Sequence, residues 1–424
     1  MRSSILIVGS GGREHALSWK IRKDNNDKAI FVAPGNGGTY QNIDIQINDF
    51  KKIAELAVKE ECITIVGPEE PIAKGIANYF NEKEIPILAP TKEAAMLETS
   101  KSFAKNLMKN NNIKTANYEV FDEADKAFDF VNKKEGPIVI KTDGLAAGKG
   151  VIICKNIDES RIALNRISNN REFGDSGNRI VIEEYLEGYE VSCIGLSDGK
   201  NFISLGMCQD HKTIFDNNLG ANTGGMGSYC PVPMISKELE DKIINQIMLK
   251  VIHSMRTKGS EYLGILYAGL MIIDNEPHVL EFNCRFGDPE TQSTMMRLKS
   301  DIMPYIEAAI NKKLDSVEPI IWNKGSTACV IMSSKGYPQK YEKGKIVTGI
   351  NEIKNEQNTT IFHSGTAINN NEIITTGGRV LGVTSIGNNI NEATNRSYEA
   401  IKMINFEGAH FRKDIAKTAK DFIG

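Results

Sequence analysis

Four short apolar runs at residues 5–8, 29–32, 63–66 and 85–88 are separated by stretches of helical period, and this alternation leaves few architectures open to the first hundred residues. Successive parallel strands need a long crossover, and a helix supplies it, so the pattern predicts an α/β chain that begins with a Rossmann-like parallel-sheet domain over residues 1–100. From residue 100 the segment SKSFAKNLMKNN reads as a helix. Apolar runs at 137–141, 151–154 and 179–183 then read as strands of a small, mostly antiparallel lid spanning about residues 118–188. Longer strands at 191–196, 202–207, 268–273 and 279–285, with a helix near 236–258, complete a second α/β domain over 101–326. Strands at 328–332 and 379–384 and a helix at 391–404 predict an α+β domain over 327–424.

Composition removes several classes of function. Lys and Arg number 51 against 54 Asp and Glu, a net charge of -3 without a basic block, so no nucleic-acid partner is expected. No run approaches the roughly 18 apolar residues that a membrane helix needs. Cys62, Cys154, Cys193, Cys208, Cys230, Cys284 and Cys329 are scattered and include no CxxC pair, which predicts buried thiols in a reducing compartment. The opening MRSSILIVG lacks the apolar stretch and cleavage site of a signal peptide, so a cytoplasmic location is expected.

The first motif is GSGGREHA at residues 9–16, between a strand and a helix. Such a turn aims backbone N–H groups and the positive end of the helix dipole at an anion. A dinucleotide fingerprint would need glycine where Glu14 stands and an acid where Ala33 and Pro34 stand, so NAD and FAD are disfavoured. Gly11, Gly12, Arg13 and Glu14, with the second turn PGNGGT that carries Pro34, Gly35 and Asn36, point instead to a phosphorylated sugar; a ligand-free tight turn is the plain alternative.

The segment PIVIKTDGLAAGKGVIIC imitates a P-loop but is one residue short between Gly144 and Gly148, has Gly150 in place of Ser/Thr, and continues as strand. It suits a glycine-rich hairpin, with Gly144, Gly148, Lys149 and Gly150 folding over a triphosphate and Lys141 reaching a phosphate. Lys105 is a second candidate for neutralising phosphate. Either lysine alone would read as a solvated surface charge. In VIEEYLEGYEVS, the chain around Glu183, Glu184 and Leu186 can offer backbone groups to an adenine edge and Glu190 a carboxylate to ribose hydroxyls, although on its own the string reads more readily as an acidic linker between strands.

The string VLEFNCRFGDPETQ is the most informative. In a strand, residues i, i+2 and i+4 share a face, so Glu281, Asn283 and Arg285 are expected on one wall, with Leu280, Phe282 and Cys284 in the core. A carboxylate and a carboxamide oxygen suit Mg²⁺, which takes few protein ligands and completes its shell with phosphate oxygens and water. Arg285 would hold a carboxylate or developing phosphoryl charge. Asp288, Pro289 and Glu290 read as N-cap, first residue and acidic first turn of a following helix, with a catalytic role no better supported. In QDHKTIFDNNLGANTGGMG, Asp210 could receive an amine and Lys212 a phosphate; His211 ranks below them as a general base. The loop through Gly224, Gly225 and Met226 is long enough to close over a ligand.

Taken together, GGREHALSWK, VAPGNGGT, VGPEEPIAKGI, PTKEAAMLETSKSFAK, KTDGLAAGKG, QDHKTIFDNNLGANTGGMG, EFNCRFGDPETQ, FHSGT and GGRVLGVT resemble the ATP-grasp superfamily and, within it, the phosphoribosylamine–glycine ligase family, over essentially the whole chain. The resemblance implies an ATP-grasp fold and the ATP-driven joining of glycine to 5-phosphoribosylamine through glycyl phosphate. By position it implies that Glu281 and Asn283 hold Mg²⁺ or Mn²⁺. Lys105, Lys141, Glu183, Leu186 and Glu190 would surround ATP, Gly11, Gly12 and the Pro34 turn would approach the ribose phosphate, and Arg285 and Asp210 would lie near glycine. Thr99 and Thr213 depart from the family pattern, the latter where a basic residue often follows QDHK. Another ATP-grasp enzyme, such as a carboxylase, and a non-catalytic nucleotide-binding protein are the alternatives. A monomer or weak dimer is expected.

Overall fold

The computed structural model describes residues 4–146, 150–353 and 358–423. The N-terminal strands Gln41–Asn42, Ala29–Pro34, Ser4–Gly9, Cys62–Val66 and Ile87–Leu88 form, in that order, a wholly parallel sheet. Every residue of Ser4–Gly9 is buried. Helices cover both faces of such a sheet, and its central strands therefore read as unbroken apolar runs rather than alternating ones. The edge strand Gln41–Asn42 is polar and exposed, which is why hydrophobic patterning does not reveal it.

Strands Tyr118–Phe121, Ile180–Glu184, Ile138–Thr142 and Val151–Cys154 form a separate antiparallel sheet in that order. Helices Ala124–Val131 and Ile157–Ser168 pack on it and enclose a core of their own. Ile140 and Ile182 lie opposite one another at its centre, 0 % and 2 % exposed. Burying a side chain of this size contributes about 1.5–3 kcal/mol, and this core is separate from the main one.

The largest sheet has eight strands, ordered Glu276–Asn283, Leu263–Ile273, Tyr189–Asp198, Phe202–Asp210, Gly227–Cys230, Ser326–Ser333, Arg379–Gly387 and Thr359–His363. It runs without a break across residue 327, so late strands extend the sheet that carries the metal-ligand candidates. The helix predicted near 236–258 is Lys237–Ile243 and Leu249–Thr257 joined by a π turn at Ile244–Met248. All seven cysteines are buried. Among the described residues no helix is long and apolar enough to cross a membrane.

Two expectations for the strand at 279–285 are corrected. Pairing with Leu263–Ile273 shifts register, Gly269 facing Glu281 and Leu270 facing Val279, so Leu280 is an extra residue in a bulge. Val279, Phe282 and Cys284 enter the core, whereas Leu280 remains half-buried. The strand also ends at Asn283, which leaves Arg285 in the turn beyond it.

Candidate functional site

Lys105 lies on the helix Lys101–Asn110, which Ser100 caps by accepting a 3.2 Å bond from the Phe103 amide. Lys141 and Glu183 stand on adjacent lid strands. The two ammonium groups converge on a single oxygen, Glu183 Oε2, at 3.1 and 2.9 Å, and all three side chains are buried. Glu183 Oε1 is buried without a partner. Burial pulls the Lys105 pKa down to about 8 against the opposing pull of Glu183. Lys105 also donates to Thr115 Oγ1 at 2.7 Å, and Lys141 donates to the Leu280 carbonyl at 3.1 Å. The bulge thus turns a backbone oxygen toward the lid and ties it to the strand bearing Glu281.

Lys101, one turn before Lys105, donates to the carbonyls of Thr142 and Gly144 at 2.8 and 3.0 Å and holds the start of the glycine-rich hairpin. Burial lowers its pKa, opposed chiefly by Glu281. Sequence reasoning missed it, although the i, i+4 spacing to Lys105 was the available signal. At Gly144 φ is +152°, and a Cβ on Gly150 would collide with Thr142, so both turns need glycine. Gly148 and Lys149 lie outside the described residues. Leu186 is half-buried in the link between strands. Glu184 is exposed and turned to Asn117, accepting from its backbone and side-chain nitrogens at 2.9 and 3.0 Å. Only Glu183 of that acidic pair joins the lysines.

Across from the lid, Glu281 Oε1 lies 3.9 Å from Lys212 Nζ, and Glu190 Oε2 lies 3.2 Å from the same nitrogen. Burial would raise the Glu281 pKa, but Lys212, Lys141, Lys101 and Arg285 outweigh it and hold the carboxyl below its ordinary value. Lys212 is displaced upward: burial is outweighed by Glu190, Glu281 and Asp210. An ionised carboxylate two residues from the Asn283 carboxamide is a donor set that fits a hard divalent cation. Among the described residues no three His, Cys, Asp or Glu side chains group to hold a metal by themselves, so phosphate oxygens and water would supply the other positions.

Arg285 is not on one wall with these two. Its Nε lies 3.3 Å from Glu69 Oε2 and its Nη2 3.7 Å from Glu98 Oε1, both acids arriving from the N-terminal side of the chain. Burial lifts the Glu98 pKa to about 7 despite Arg285, whereas Arg285 and Arg13 overcome burial at Glu69 and hold it at about 2. Neither acid was anticipated, since nothing near them in sequence marks a distant arginine. Asp210 Oδ1 is buried without a partner, and burial followed by the charge of Glu290 raises its pKa well above the usual carboxylate range. Glu290 is buried, its Oε1 accepting from Tyr267 at 2.9 Å and Ser192 at 3.0 Å. Gly225 adopts φ +110°, and a Cβ there would meet Pro289 and Asp210. Met226 is fully buried, and its backbone pairs with His211 and Ile331.

The N-terminal turns are more self-contained than expected. The Gly11 amide donates to Glu14 Oε2 at 2.5 Å, and Arg13 Nε pairs with Glu14 Oε1 at 2.7 Å, so Glu14 caps its own helix. A Cβ on Gly12 would strike Gln292 and Ser364. The Asn36 amide donates to the carbonyls of Ser10 and His363 at 2.9 and 2.8 Å, pinning the turn that carries Pro34 and Gly35 to the first glycine turn and to the end of the strand Thr359–His363. The helix after the strand Glu276–Asn283 begins at Glu290 with Pro289 at its cap position. Asp288 is not its N-cap: one oxygen accepts from Gln292 at 2.8 Å and the other from the Arg13 amide of another helix at 3.3 Å.

A small antiparallel lid carrying Lys141, with Lys105 on the helix that precedes it, set over a strand with an acid and an amide in alternate positions, defines an ATP-grasp enzyme, a class that uses ATP with a divalent metal. Family models for phosphoribosylglycinamide synthetase match the chain at residues 3–98 (N domain), 99–291 (ATP-grasp domain) and 327–418 (C domain). Phosphoribosylamine–glycine ligase of Vibrio vulnificus is 43 % identical over 98 % of each chain, and that of Neisseria meningitidis 44 % identical over 98 % of this chain and 99 % of the relative. The crystal structure of the Thermotoga maritima ligase superposes with a TM-score of 0.84 at 33 % identity, covering 97 % of this chain and 99 % of that one. Biotin carboxylase of Campylobacter jejuni, 16 % identical with a TM-score of 0.70 and covering 99 % of this chain and 94 % of its own, shares the fold. The chain belongs to the phosphoribosylamine–glycine ligase family.

Proposed function

We propose that the cluster of Lys105, Lys141, Lys212, Glu281, Asn283 and Arg285 is the site at which this ligase joins glycine to 5-phospho-D-ribosylamine, forming glycinamide ribonucleotide, ADP and phosphate. The observation that carries it is the convergence of the buried Lys141 of the lid and the half-buried Lys212 of the Asp210 loop toward an ionised Glu281. The glycine carboxylate attacks the γ-phosphorus of ATP and ADP leaves. The sugar amine then attacks the carbonyl carbon of glycyl phosphate, and phosphate leaves. Two anions must meet in the first step, so charge neutralisation and positioning are the main contributions.

Mg²⁺ or Mn²⁺ held by Glu281 and Asn283 would neutralise phosphate charge. Lys105 and Lys141 sit where the triphosphate would exchange for Glu183 as their counter-charge. Lys212 and Arg285 serve the carboxylate and the acyl phosphate derived from it. Asp210, with an unpartnered buried oxygen, receives the glycine ammonium and ionises as it does so. The pinned turns at Gly11, Gly12 and Pro34 to Asn36 shape the wall for the ribose phosphate. Carboxyl-labelled ¹⁸O glycine should deliver label to inorganic phosphate during turnover. Unlabelled phosphate would rule out the acyl-phosphate route.

A further inference from the structure

Residues 410–416, HFRKDIA, lie against residues 211–218, HKTIFDNN, almost two hundred positions earlier. Arg412 is among the largest fully buried side chains, 1 % exposed. Its Nη1 donates to the Thr213 carbonyl at 3.2 Å and to Thr213 Oγ1 at 2.8 Å, and its Nη2 donates to Asn218 Oδ1 at 3.1 Å. Asp414 fixes the guanidinium from the other side through two bonds of 2.7 Å. The contact continues on both flanks. His410 Nε2 meets the Ile214 carbonyl at 2.8 Å, the Lys413 amide donates to Asp216 at 2.7 Å, and the Ala416 amide donates to His211 Nε2 at 3.3 Å.

Lys212 stands between two residues held by this segment, His211 and Thr213. Its own carbonyl accepts from the Thr223 amide and hydroxyl, each at 2.7 Å. The backbone is therefore fixed on three sides, and the ammonium extends to Glu190 and Glu281. Because Asp414 matches the Arg412 charge at hydrogen-bond distance, Arg412 acts on the site through geometry and not through its field. A planar fork bridging Thr213, Asn218 and Asp414 is a task that lysine, with a single nitrogen, cannot perform.

We propose that Arg412, acting through Thr213, is a positioning residue that sets Lys212 against Glu281, making the 410–416 segment a working part of the ligation site. The inference rests on Lys212 acting in catalysis. The test uses the full chain with Thr213→Val, Arg412→Lys, Arg412→Ala, Lys212→Ala and the Arg412→Ala/Lys212→Ala pair, measuring kcat, KM for each substrate and Tm. Thr213→Val removes only the hydroxyl acceptor and preserves shape. It should lower kcat about 5- to 10-fold, with KM for ATP within about twofold and Tm nearly unchanged. Arg412→Ala should lower kcat about 100-fold, and the double variant should be no slower than Lys212→Ala, because two residues acting through one ammonium are non-additive. Wild-type kcat in both Thr213→Val and Arg412→Lys would overturn the proposal, and so would kcat losses that multiply in the double variant. A Lys212→Ala enzyme of normal kcat would remove Lys212 from the mechanism and overturn the proposal with it, while leaving the ligase reading intact.

Discussion

Lys141 Nζ sits 2.9 Å from Glu183 Oε2, and both groups are closed to solvent. The same oxygen serves Lys105. A single carboxylate thus makes the ion pairs of two buried ammonium groups, and its loss leaves both without a carboxylate at hydrogen-bond distance. Glu183→Ala should destabilise the protein by roughly 3–5 kcal/mol, the range for breaking a buried pair from one side, measured by urea unfolding. A loss within the range of a surface substitution would mean that Lys105 and Lys141 swing into solvent.

Glu281 is kept ionised by four cations, Lys212, Lys141, Lys101 and Arg285. Glu281→Ala should lower kcat about a thousandfold or more while changing Tm little, since Lys212 retains Glu190 at 3.2 Å. Turnover near the wild-type rate would discredit the metal-site assignment.

The pH dependence of ATP affinity follows from Lys105. Burial lowers its pKa to about 8, so the ammonium is present below that value and lost above it. KM for ATP should therefore rise as pH passes upward through about 8 in the wild type. Arginine stays charged throughout this range, so Lys105→Arg should flatten the profile between pH 7 and 9.5 in steady-state assays. An unchanged profile would mean that this lysine does not meet the triphosphate.

Three histidines make the fold sensitive to acid. His15 is held at about 3 by burial and by the neighbouring charge of His363, His363 at about 4 by burial, and His211 at about 4 by burial followed by Arg412. Each folded pKa lies below the ordinary value of 6.5, so the unfolded chain binds more protons between that value and 3 to 4. Their contribution is fully present above about pH 6.5 and is lost as pH falls, at up to about 1.4 kcal/mol per pH unit for each histidine. Unfolding free energies from pH 7 to 5 should show this slope, and His363→Gln should reduce it by close to one proton. An equal slope in the variant would mean that His363 titrates normally.

Much of the architecture was legible because it is written in local periodicity. Ser4–Gly9 reads SILIVG, an unbroken apolar run, since helices cover both faces of the sheet that contains it. Lys141, Glu281 and Asn283 stand out as candidates in the sequence because a glycine-rich turn and alternate-residue spacing mark them. The phase of the metal strand was misread at Leu280, because a bulge changes pairing without changing residue type. Lys101 was passed over although it lies one turn from Lys105, and Asp288 was assigned to the wrong helix because its amide partner, Arg13, lies 275 positions away.

The chain carries in its own order the strand and helix periods, the glycines that tight turns require, and the presence of an acid and an amide two positions apart. Those properties depend on neighbours within a few residues, so they survive without knowledge of the fold. Folding alone decided that Glu183 would sit between Lys105 and Lys141, that Glu69 and Glu98 would answer Arg285, and that Arg412 would reach Thr213. Charge pairing and hydrogen bonding depend on separation in space and on exclusion of water, and both are set by sheet order and domain packing, to which distance along the chain is no guide.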